Sequence, residues 1–519
     1  MTESRFGREQ LGGLADAVEA TVADLVGRDA IRRMWDGDHT LWAPDPTEIS
    51  DRLGWLHVAR EVLADRDRLE GFADACHADG LRHVVVMGMG GSSLFPEVIA
   101  RTFTTPDGRL HLHVIDTTDP QAVARVEAVA PLGETLFVAS SKSGSTIETR
   151  SHLAHFWDRV GNPAQFAVVT DPGSELGDLA RSRGFREVFE NRSDIGGRYS
   201  ALSYFGLVPA ALAGAPWTDL VASAEALAPS LGPDAEPAAH PGLRLGAVLG
   251  AAVKAGRDKL TLVIDESVAT FGLWLEQLIA ESTGKHGTGV VPVAGEALGP
   301  VDVYGDDRLF VSIGTPPGDE VVGLDVLGDM GHPVVRLGLG DPTDLGAQVL
   351  LWEVATAVCG AVLGINPFDQ PNVAEAKAAT NDVLAGGPPD LPLGSLDDLL
   401  AKVQPGDYVA IQAYVDPGDE RLADLEEARL RIRDEHKVAT TFGLGPRFLH
   451  STGQLHKGGP PTGVFVQVVG DDVADSHVPD QPFTFGELKH AQADGDLLTL
   501  REHGLRAERV RAQDLIDHG

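Results

Sequence analysis

The chain has 519 residues, of which 43% are hydrophobic and 60 are glycine, so it is long enough for roughly three or four folded domains. Its net charge of −35 argues against nucleic acid or an anionic membrane as a partner. Two cysteines, Cys76 and Cys359, exclude a disulfide framework, and neither has the spacing of a metal site. The first residues lack the apolar core of a signal peptide, and the longest apolar run, 349–365, is interrupted by Glu353 and predicts a buried helix. A cytoplasmic protein is therefore expected.

The first half of the chain predicts a helical segment followed by an α/β unit. Residues 1–55 carry helical hydrophobic patterns and are interpreted as an appended segment without chemistry. Residues 56–225 alternate apolar runs with helix-length connections, which is typical of a doubly wound parallel sheet. The strands of this sheet are predicted at 83–87, 112–115, 135–138 and 166–169.

The same rhythm returns after a stretch rich in proline and alanine. Residues 226–388 predict a second doubly wound unit, with strands at 259–265, 290–293, 309–313 and 334–337. A proline-rich linker follows, and residues 395–519 predict a small α/β domain with strands at 408–415 and 464–469. The fold class is thus α/β, with two tandem parallel-sheet units, a helical start and a small C-terminal domain.

A hydroxyl-rich loop, Ala139-Ser-Ser-Lys-Ser-Gly-Ser-Thr-Ile-Glu-Thr149, connects a predicted strand to a predicted helix. The backbone N–H groups and the positive end of the helix dipole make such a loop a seat for an anion, and this acidic chain must keep the seat locally electropositive. Ser145 and Glu148 also fit a capping box. The alternative is an ordinary serine-rich turn.

Two glycine-containing turns add candidate residues. Gly88-Met-Gly-Gly-Ser-Ser-Leu94 lies between a strand and a helix, but its spacing matches neither a dinucleotide fingerprint nor a Walker A loop. Asp194-Ile-Gly-Gly-Arg-Tyr-Ser200 projects Arg198 from backbone that can approach a ligand closely, so its guanidinium could hold an oxyanion. A solvated arginine in a turn is the alternative.

Gln277 and Glu281 lie four residues apart and therefore share one face of a predicted helix, 271–282. Because Glu281 falls in the last turn, the negative end of the helix dipole disfavours its ionised form. That position suits a general base, although a surface glutamate is the usual reading. Further on, a loop at 366–372 enters a helix and presents Gln370 near its start and Lys377 two turns later.

Together these motifs resemble the glucose-6-phosphate isomerase family. The segment 194–200 matches one family signature closely, and Phe368-Asp-Gln370 through Lys377 matches the other in spacing, with Asn372 and Ala374 in place of the usual glycine and glutamate. The resemblance covers about residues 60–385 and implies two tandem sugar isomerase domains. The C-terminal part resembles the isomerase half of actinobacterial transaldolase–isomerase fusions.

The resemblance implies a role for each matching residue. Ser141, Ser143 and Thr146, with Lys142 nearby, would hold the sugar phosphate. Arg198 would stabilise an enediolate while Glu281 carries the proton between C2 and C1. The residues implied to line the sugar or position its hydroxyls are Gly91, Ser92, Gly197, Gln277, Gln370 and Lys377, with Lys377 also a candidate for assisting ring opening. No metal or cofactor is implied, and a homodimer is expected.

One departure concerns ring opening. The family uses a histidine downstream of the base, but the corresponding region, 295–305, contains none. His456 or His450, in the C-terminal glycine-rich motif, is the candidate substitute, within the chain or across a dimer interface. A structural role for both histidines is the alternative.

The function that this pattern predicts is interconversion of glucose 6-phosphate and fructose 6-phosphate. Mannose 6-phosphate or a 6-sulfonated sugar could replace these substrates, because the seat recognises an anion. A non-catalytic sugar-phosphate-binding regulator, or a module that only scaffolds a partner enzyme, is the alternative from another class.

Overall fold

The computed structural model describes residues 6–518, which form three β-sheets wrapped by helices. The strands are β1 Phe6–Gln10, β2 His83–Met87, β3 His111–Ile115, β4 Thr135–Ser140, β5 Phe166–Thr170, β6 Glu187–Glu190, β7 Lys259–Ile264, β8 Val291–Val293, β9 Arg308–Ile313, β10 Val334–Leu337, β11 Tyr408–Tyr414, β12 Ala439–Leu444, β13 Gly463–Val469 and β14 Arg506–Arg509.

Helices connect these strands and cover the sheets. They are α1 Ala15–Gly27, α2 Ala30–Trp35, α3 Trp55–Ala64, α4 Arg66–Ala78, α5 Leu94–Thr102, α6 Pro120–Val129, α7 Ile147–Val160, α8 Glu175–Arg183, α9 Tyr204–Ala213, α10 Trp217–Leu231, α11 Pro241–Lys254, α12 Phe271–Thr283, α13 Gly318–Asp329, α14 Leu345–Leu363, α15 Val373–Gly386, α16 Leu396–Leu400, α17 Leu422–His436, α18 Gly453–Gly458, α19 Phe485–Glu502 and α20 Ala512–Ile516.

The first sheet has the strand order β3-β2-β4-β5-β6 and is parallel throughout. Its central strands β4 and β5 are buried along their whole length, as expected for strands covered by helices on both faces. The chain runs from β2 to β3 on one side and returns to β4 on the other. The loops after β2 and β4 therefore meet at the edge where parallel sheets bind ligands.

The second sheet, β1-β10-β9-β7-β8, is parallel except for β1. Strand β1 pairs antiparallel with β10 at the sheet edge. The sequence analysis expected only helices before residue 55, and this strand corrects that expectation. The run Phe6–Gln10 is short and polar, and its partner supplies the backbone hydrogen bonds that make it a strand.

The third sheet, β12-β11-β13-β14, is parallel and belongs to the C-terminal unit. This unit packs against the first sheet, because Phe485 and Leu488 of α19 share a core cluster with Phe137 and Leu153. The buried Lys489 ammonium, on the same helix, is bound by the carboxylates of Asp119 and Asp472. The C-terminal unit is therefore joined to the first unit by a common core and a buried ion network.

Helix α14 is buried and packs against α10, α11 and α12. The span 342–363 is long and apolar enough to cross a membrane, but its most apolar 18-residue stretch is completely buried within the protein. This agrees with the buried helix predicted at 349–365. Desolvation raises the pKa of its buried Glu353 well above the ordinary glutamate value.

Candidate active site

The predicted anion loop lies between β4 and α7, at the carboxyl end of the first sheet. The Ser141 hydroxyl is 3.1 Å from the Thr146 hydroxyl and accepts a hydrogen bond from the Gly144 N–H. Ser143 and Ser145, both exposed, have hydroxyl oxygens 3.0 Å apart. The loop thus closes on itself and gathers four hydroxyls at the start of α7.

The predicted capping box is wrong. The N-cap of α7 is Thr146, without a side-chain cap, and the Glu148 carboxylate is bound elsewhere. Lys142 also extends away from the loop hydroxyls, because its ammonium binds the Asp171 carboxylate and the Ser193 carbonyl. In place of Lys142, the basic residues that line the cavity beside this loop are Arg150 and Lys377.

The two glycine turns touch each other. A Cβ on Gly91 would lie 1.8 Å from the carbonyl oxygen of Gly197, a contact that only glycine permits. Gly91 and Ser92 form a buried turn after β2, and Gly197 begins the turn that carries Arg198. The close approach of these turns places Arg198 beside the end of the first sheet.

Arg198 is 2% exposed, and each nitrogen of its guanidinium donates at least one hydrogen bond. Nε donates to the Ser282 hydroxyl at 2.8 Å, and Nη2 donates to the carbonyls of Pro367 and Asp369. Nη1 donates to Gln370 Oε1 at 2.8 Å and lies 3.4 Å from Glu281 Oε1. The arginine is therefore fixed in position, with one nitrogen facing the predicted base.

Glu281 occupies the last turn of α12, as predicted, and is mostly buried. Gln277, one turn earlier, donates to Glu281 Oε2 at 3.2 Å and to the backbone carbonyl of His450 at 2.9 Å. The side-chain amide oxygen of Gln277, Oε1, is buried without a hydrogen-bond partner. The base, the arginine and this amide form one contiguous polar cluster.

Lys285 stabilises the loop that carries Gln370, a role that the sequence analysis did not assign. Its ammonium donates to the Asn366 carbonyl and to both the carbonyl and the carboxylate of Asp369, all within 2.7 Å. Burial lowers the pKa of Lys285 to about 8, with a further contribution from the Arg198 charge. This buried lysine keeps the 366–370 loop against Arg198.

His450 reaches the cleft from the C-terminal unit. Its Nε2 lies 2.8 Å from Glu148 Oε1, which also accepts a 2.6 Å hydrogen bond from Gln492. Burial opposes ionisation of Glu148, but the His450 charge and hydrogen bond, together with Lys377, outweigh it and lower the Glu148 pKa to about 2. Glu148 and Gln492 escaped the sequence analysis because Glu148 resembled a capping residue and Gln492 belongs to no motif.

His456 is not brought to this cluster. Its ring is buried among Tyr408, Phe448 and Phe465, and its Nδ1 lies 3.2 Å from the Gln412 amide nitrogen. Burial lowers its pKa to about 3, so the ring is neutral at physiological pH. The packing of the third sheet thus turns His456 into the core and leaves His450, six residues earlier, at the cleft.

A cavity of about 380 Å³ connects the anion loop to the C-terminal unit. Thr146, Glu148, His450 and the exposed Lys377 are among the residues that line it. His450 joins both parts of the site, because its ring lines this cavity while its carbonyl contacts Gln277. A sugar phosphate fits within the size range of such pockets.

One of the two departures from the family signature, Asn372, contacts the C-terminal unit. The Asn372 N–H donates to Gln454 Oε1, and Gln454 Nε2 donates to Asn372 Oδ1 and to the Gly284 carbonyl. The asparagine side chain therefore pairs with α18, a contact that a glycine could not make. Within residues 6–518, the one group of three clustered metal-binding side chains lies at the end of α17, outside this cleft.

Two tandem α/β units, one with a buried arginine and the other with a glutamate beside it, are typical of a sugar isomerase fold. Residues 70–301 match the family model described as phosphoglucose isomerase. A glucose-6-phosphate isomerase from Citrifermentans bemidjiense is 30% identical over 63% of this chain and 72% of its own length. One from Acaryochloris marina is 27% identical over 71% and 78%. The chain therefore belongs to the phosphoglucose isomerase family.

Solved structures show the same fold. A glucose-6-phosphate isomerase from Chlamydia trachomatis superposes with a TM-score of 0.59 at 20% identity, over 71% of this chain and 86% of its own. The hypothetical protein TT0462 from Thermus thermophilus superposes with a TM-score of 0.61 at 24% identity, over 73% of this chain and all of its own.

Proposed function

We propose that the chain is an aldose–ketose isomerase that interconverts glucose 6-phosphate and fructose 6-phosphate through a cis-enediolate. The observation that carries this proposal is the position of the Glu281 carboxylate, 3.4 Å from the Arg198 guanidinium and hydrogen-bonded by Gln277. The relatives named glucose-6-phosphate isomerase support the same activity.

Glu281 removes the proton from C2 of the open-chain aldose and returns it to C1. The electrons of the broken C–H bond form the enediolate, whose negative oxygen is stabilised by Arg198. Because the guanidinium is fixed by four hydrogen bonds, it needs little reorganisation when that charge develops. The O2 hydroxyl proton moves to O1, and reprotonation at C1 by Glu281 then gives the ketose and regenerates the carboxylate.

His450 is our candidate for opening the sugar ring, in place of His456. With Glu148 ionised, His450 Nε2 carries the hydrogen of their 2.8 Å contact, so Nδ1 is the nitrogen left to exchange a proton with the sugar. A proton taken from the C1 hydroxyl and a proton returned to the ring oxygen would open the ring. Lys377, on the same cavity, is the second candidate for this step.

The loop hydroxyls and the two glycine turns bind substrate in this proposal. Ser141, Ser143 and Thr146, at the start of α7, hold the phosphate, while the backbone at Gly91, Ser92 and Gly197 borders the sugar. Binding energy at the phosphate end would hold C1 and C2 against Glu281. Mannose 6-phosphate or a 6-sulfonated sugar stays the alternative substrate, and the homodimer and cytoplasmic location stay predictions.

A coupled assay with fructose 6-phosphate tests the proposal, with wild type compared against Glu281→Gln. Turnover by the wild type with loss in the variant is expected. No turnover by the wild type on fructose 6-phosphate, mannose 6-phosphate or a 6-sulfonated sugar would favour the regulator alternative. Full activity in Glu281→Gln would instead remove the base assignment.

A further inference from the structure

A second cluster of chemically distinctive side chains lies where α17 ends and the chain approaches its C-terminus. Glu435, His436 and His518 each place one potential metal-binding atom within 4.8 Å of the other two. Glu435 Oε2 and His518 Nε2 lie 3.3 Å apart. Three side chains from two distant segments thus converge on one point.

The chain end is held at this position by backbone contacts. Arg431, one turn before Glu435 on α17, donates from Nε to the His518 carbonyl at 2.8 Å and from Nη2 to the Ile516 carbonyl at 2.7 Å. Leu515 of α20 is completely buried and shares a core cluster with Leu425 and Ile432 of α17. The approach of His518 to α17 is therefore built into the fold.

Nε2 of His436 is buried without a hydrogen-bond partner, and Nε2 of His518 is buried beside the Glu435 carboxylate without a hydrogen bond to it. Buried polar atoms without partners are uncommon and ask for an explanation. The other nitrogen of His518, Nδ1, faces the Asp397 carboxylate at 3.8 Å. In metal-bound histidines, the nitrogen that does not bind the metal commonly faces a carboxylate in this way.

We propose that Glu435, His436 and His518 form a binding site for a divalent transition-metal ion of the zinc class. Two imidazoles and one carboxylate are a donor set that Zn²⁺ favours, whereas Mg²⁺ and Ca²⁺ favour oxygen donors alone. With bonds of about 2.0–2.1 Å, tetrahedral ligand atoms lie about 3.3 Å apart. Glu435 and His518 already meet that separation, and side-chain rotation of His436 closes the set.

The site ties the last helix of the chain, α20, to α17. A bound ion would hold the end of the chain against α17 and so stabilise the C-terminal unit. The net charge of −35 also attracts cations to the surface as a whole. This inference is independent of the proposed isomerase activity, because the cluster lies outside the catalytic cleft.

The test is Zn²⁺ titration of the full chain, purified without a polyhistidine tag and stripped with chelator, by calorimetry and by metal analysis after dialysis. We expect one Zn²⁺ per chain and a higher melting temperature with the ion. His436→Ala and His518→Ala should weaken binding by about tenfold or more and remove the thermal shift, and Asp397→Asn should weaken it by about tenfold.

The matched control is His113→Ala. His83 Nδ1 and His113 Nε2 lie 3.0 Å apart on β2 and β3, so this pair also offers two imidazoles to an ion. Unchanged binding in His113→Ala is expected. Absence of saturable binding, or equal affinity in wild type and in correctly folded His436→Ala and His518→Ala, would overturn the site, and so would loss of binding in His113→Ala.

Discussion

Gln277 donates one amide group to two acceptors, the Glu281 carboxylate at 3.2 Å and the His450 carbonyl at 2.9 Å. The first acceptor is the proposed base on α12, and the second belongs to the C-terminal unit. A Cβ on Gly90 would lie 2.6 Å from the same amide nitrogen, so the turn after β2 packs against this junction. Parts of all three α/β units therefore meet at a single side chain.

Glu281→Gln should lower kcat by about 10²–10⁴-fold, because a general base contributes that range and an amide cannot accept the C2 proton. Exchange of the C2 hydrogen with solvent deuterium should fall by the same factor. Glu276→Gln is the matched control on the same helix. Burial raises the Glu276 pKa to about 8, so this carboxyl is largely protonated at pH 7 and an amide mimics it. Equal rates in wild type and Glu281→Gln would contradict the assignment.

His450→Ala should slow the reaction of cyclic glucose 6-phosphate much more than that of an open-chain substrate. A four-carbon aldose 4-phosphate cannot close a ring, because its C4 oxygen carries the phosphate. The ratio of kcat/KM for the two substrates should shift by about 10²-fold or more. His456→Ala should lower stability without shifting the ratio, since its ring is packed in the core. Equal losses on both substrates would show that His450 does not open the ring.

Glu148→Gln should destabilise the protein at neutral pH but not in acid. The folded pKa of Glu148, about 2, lies below the ordinary value of 4.5, so its contribution is fully present above pH 4.5 and disappears as the pH falls towards 2. The shift corresponds to about 3 kcal/mol. Melting temperatures of wild type and Glu148→Gln should differ clearly at pH 7, and the difference should shrink progressively as the pH falls from 4.5 towards 2. A constant difference would contradict the low pKa.

Gly91→Ala should abolish most activity, because its Cβ would collide with the Gly197 carbonyl and displace the turn that carries Arg198. Overpacking of this kind costs about 1–3 kcal/mol. Gly71→Ala is the control, since no atom lies within 4 Å of its added Cβ in α4 and alanine favours helix. Activity near wild type in Gly91→Ala would show that these two turns can separate without consequence.

The strands that the sequence predicted well are buried on both faces and consist mostly of apolar residues, such as β2 and β7. Strands β12 and β14 were missed because they lie at the edges of their sheet and carry threonine, glycine or charged residues. Their pairing depends on the neighbouring strand, which local sequence does not reveal.

The same limit applies to the site. Glu281 and Arg198 were predicted because each lies in an informative local context, a helix end and a glycine turn. The contact between Glu148 and His450 joins residues 302 positions apart, and that between Glu148 and Gln492 joins residues 344 apart. No spacing rule covers such pairs, so only the docking of the C-terminal unit distinguishes His450 from His456.

A mixing experiment can decide whether one chain contains a complete site. Glu148 and His450 belong to the same chain in this arrangement, as do Gln277 and the His450 carbonyl. We therefore expect no recovery of activity when Glu281→Gln and His450→Ala proteins are unfolded together and refolded as a mixture. If His450 served the cleft of a second subunit, each mixed dimer would contain one intact site. Such a dimer would have up to about half the activity of a wild-type dimer. The activity of the mixture should instead equal the average activity of the two variants refolded separately. Wild type refolded in the same way measures the refolding yield. Recovery above that average would show that the histidine acts across a subunit interface.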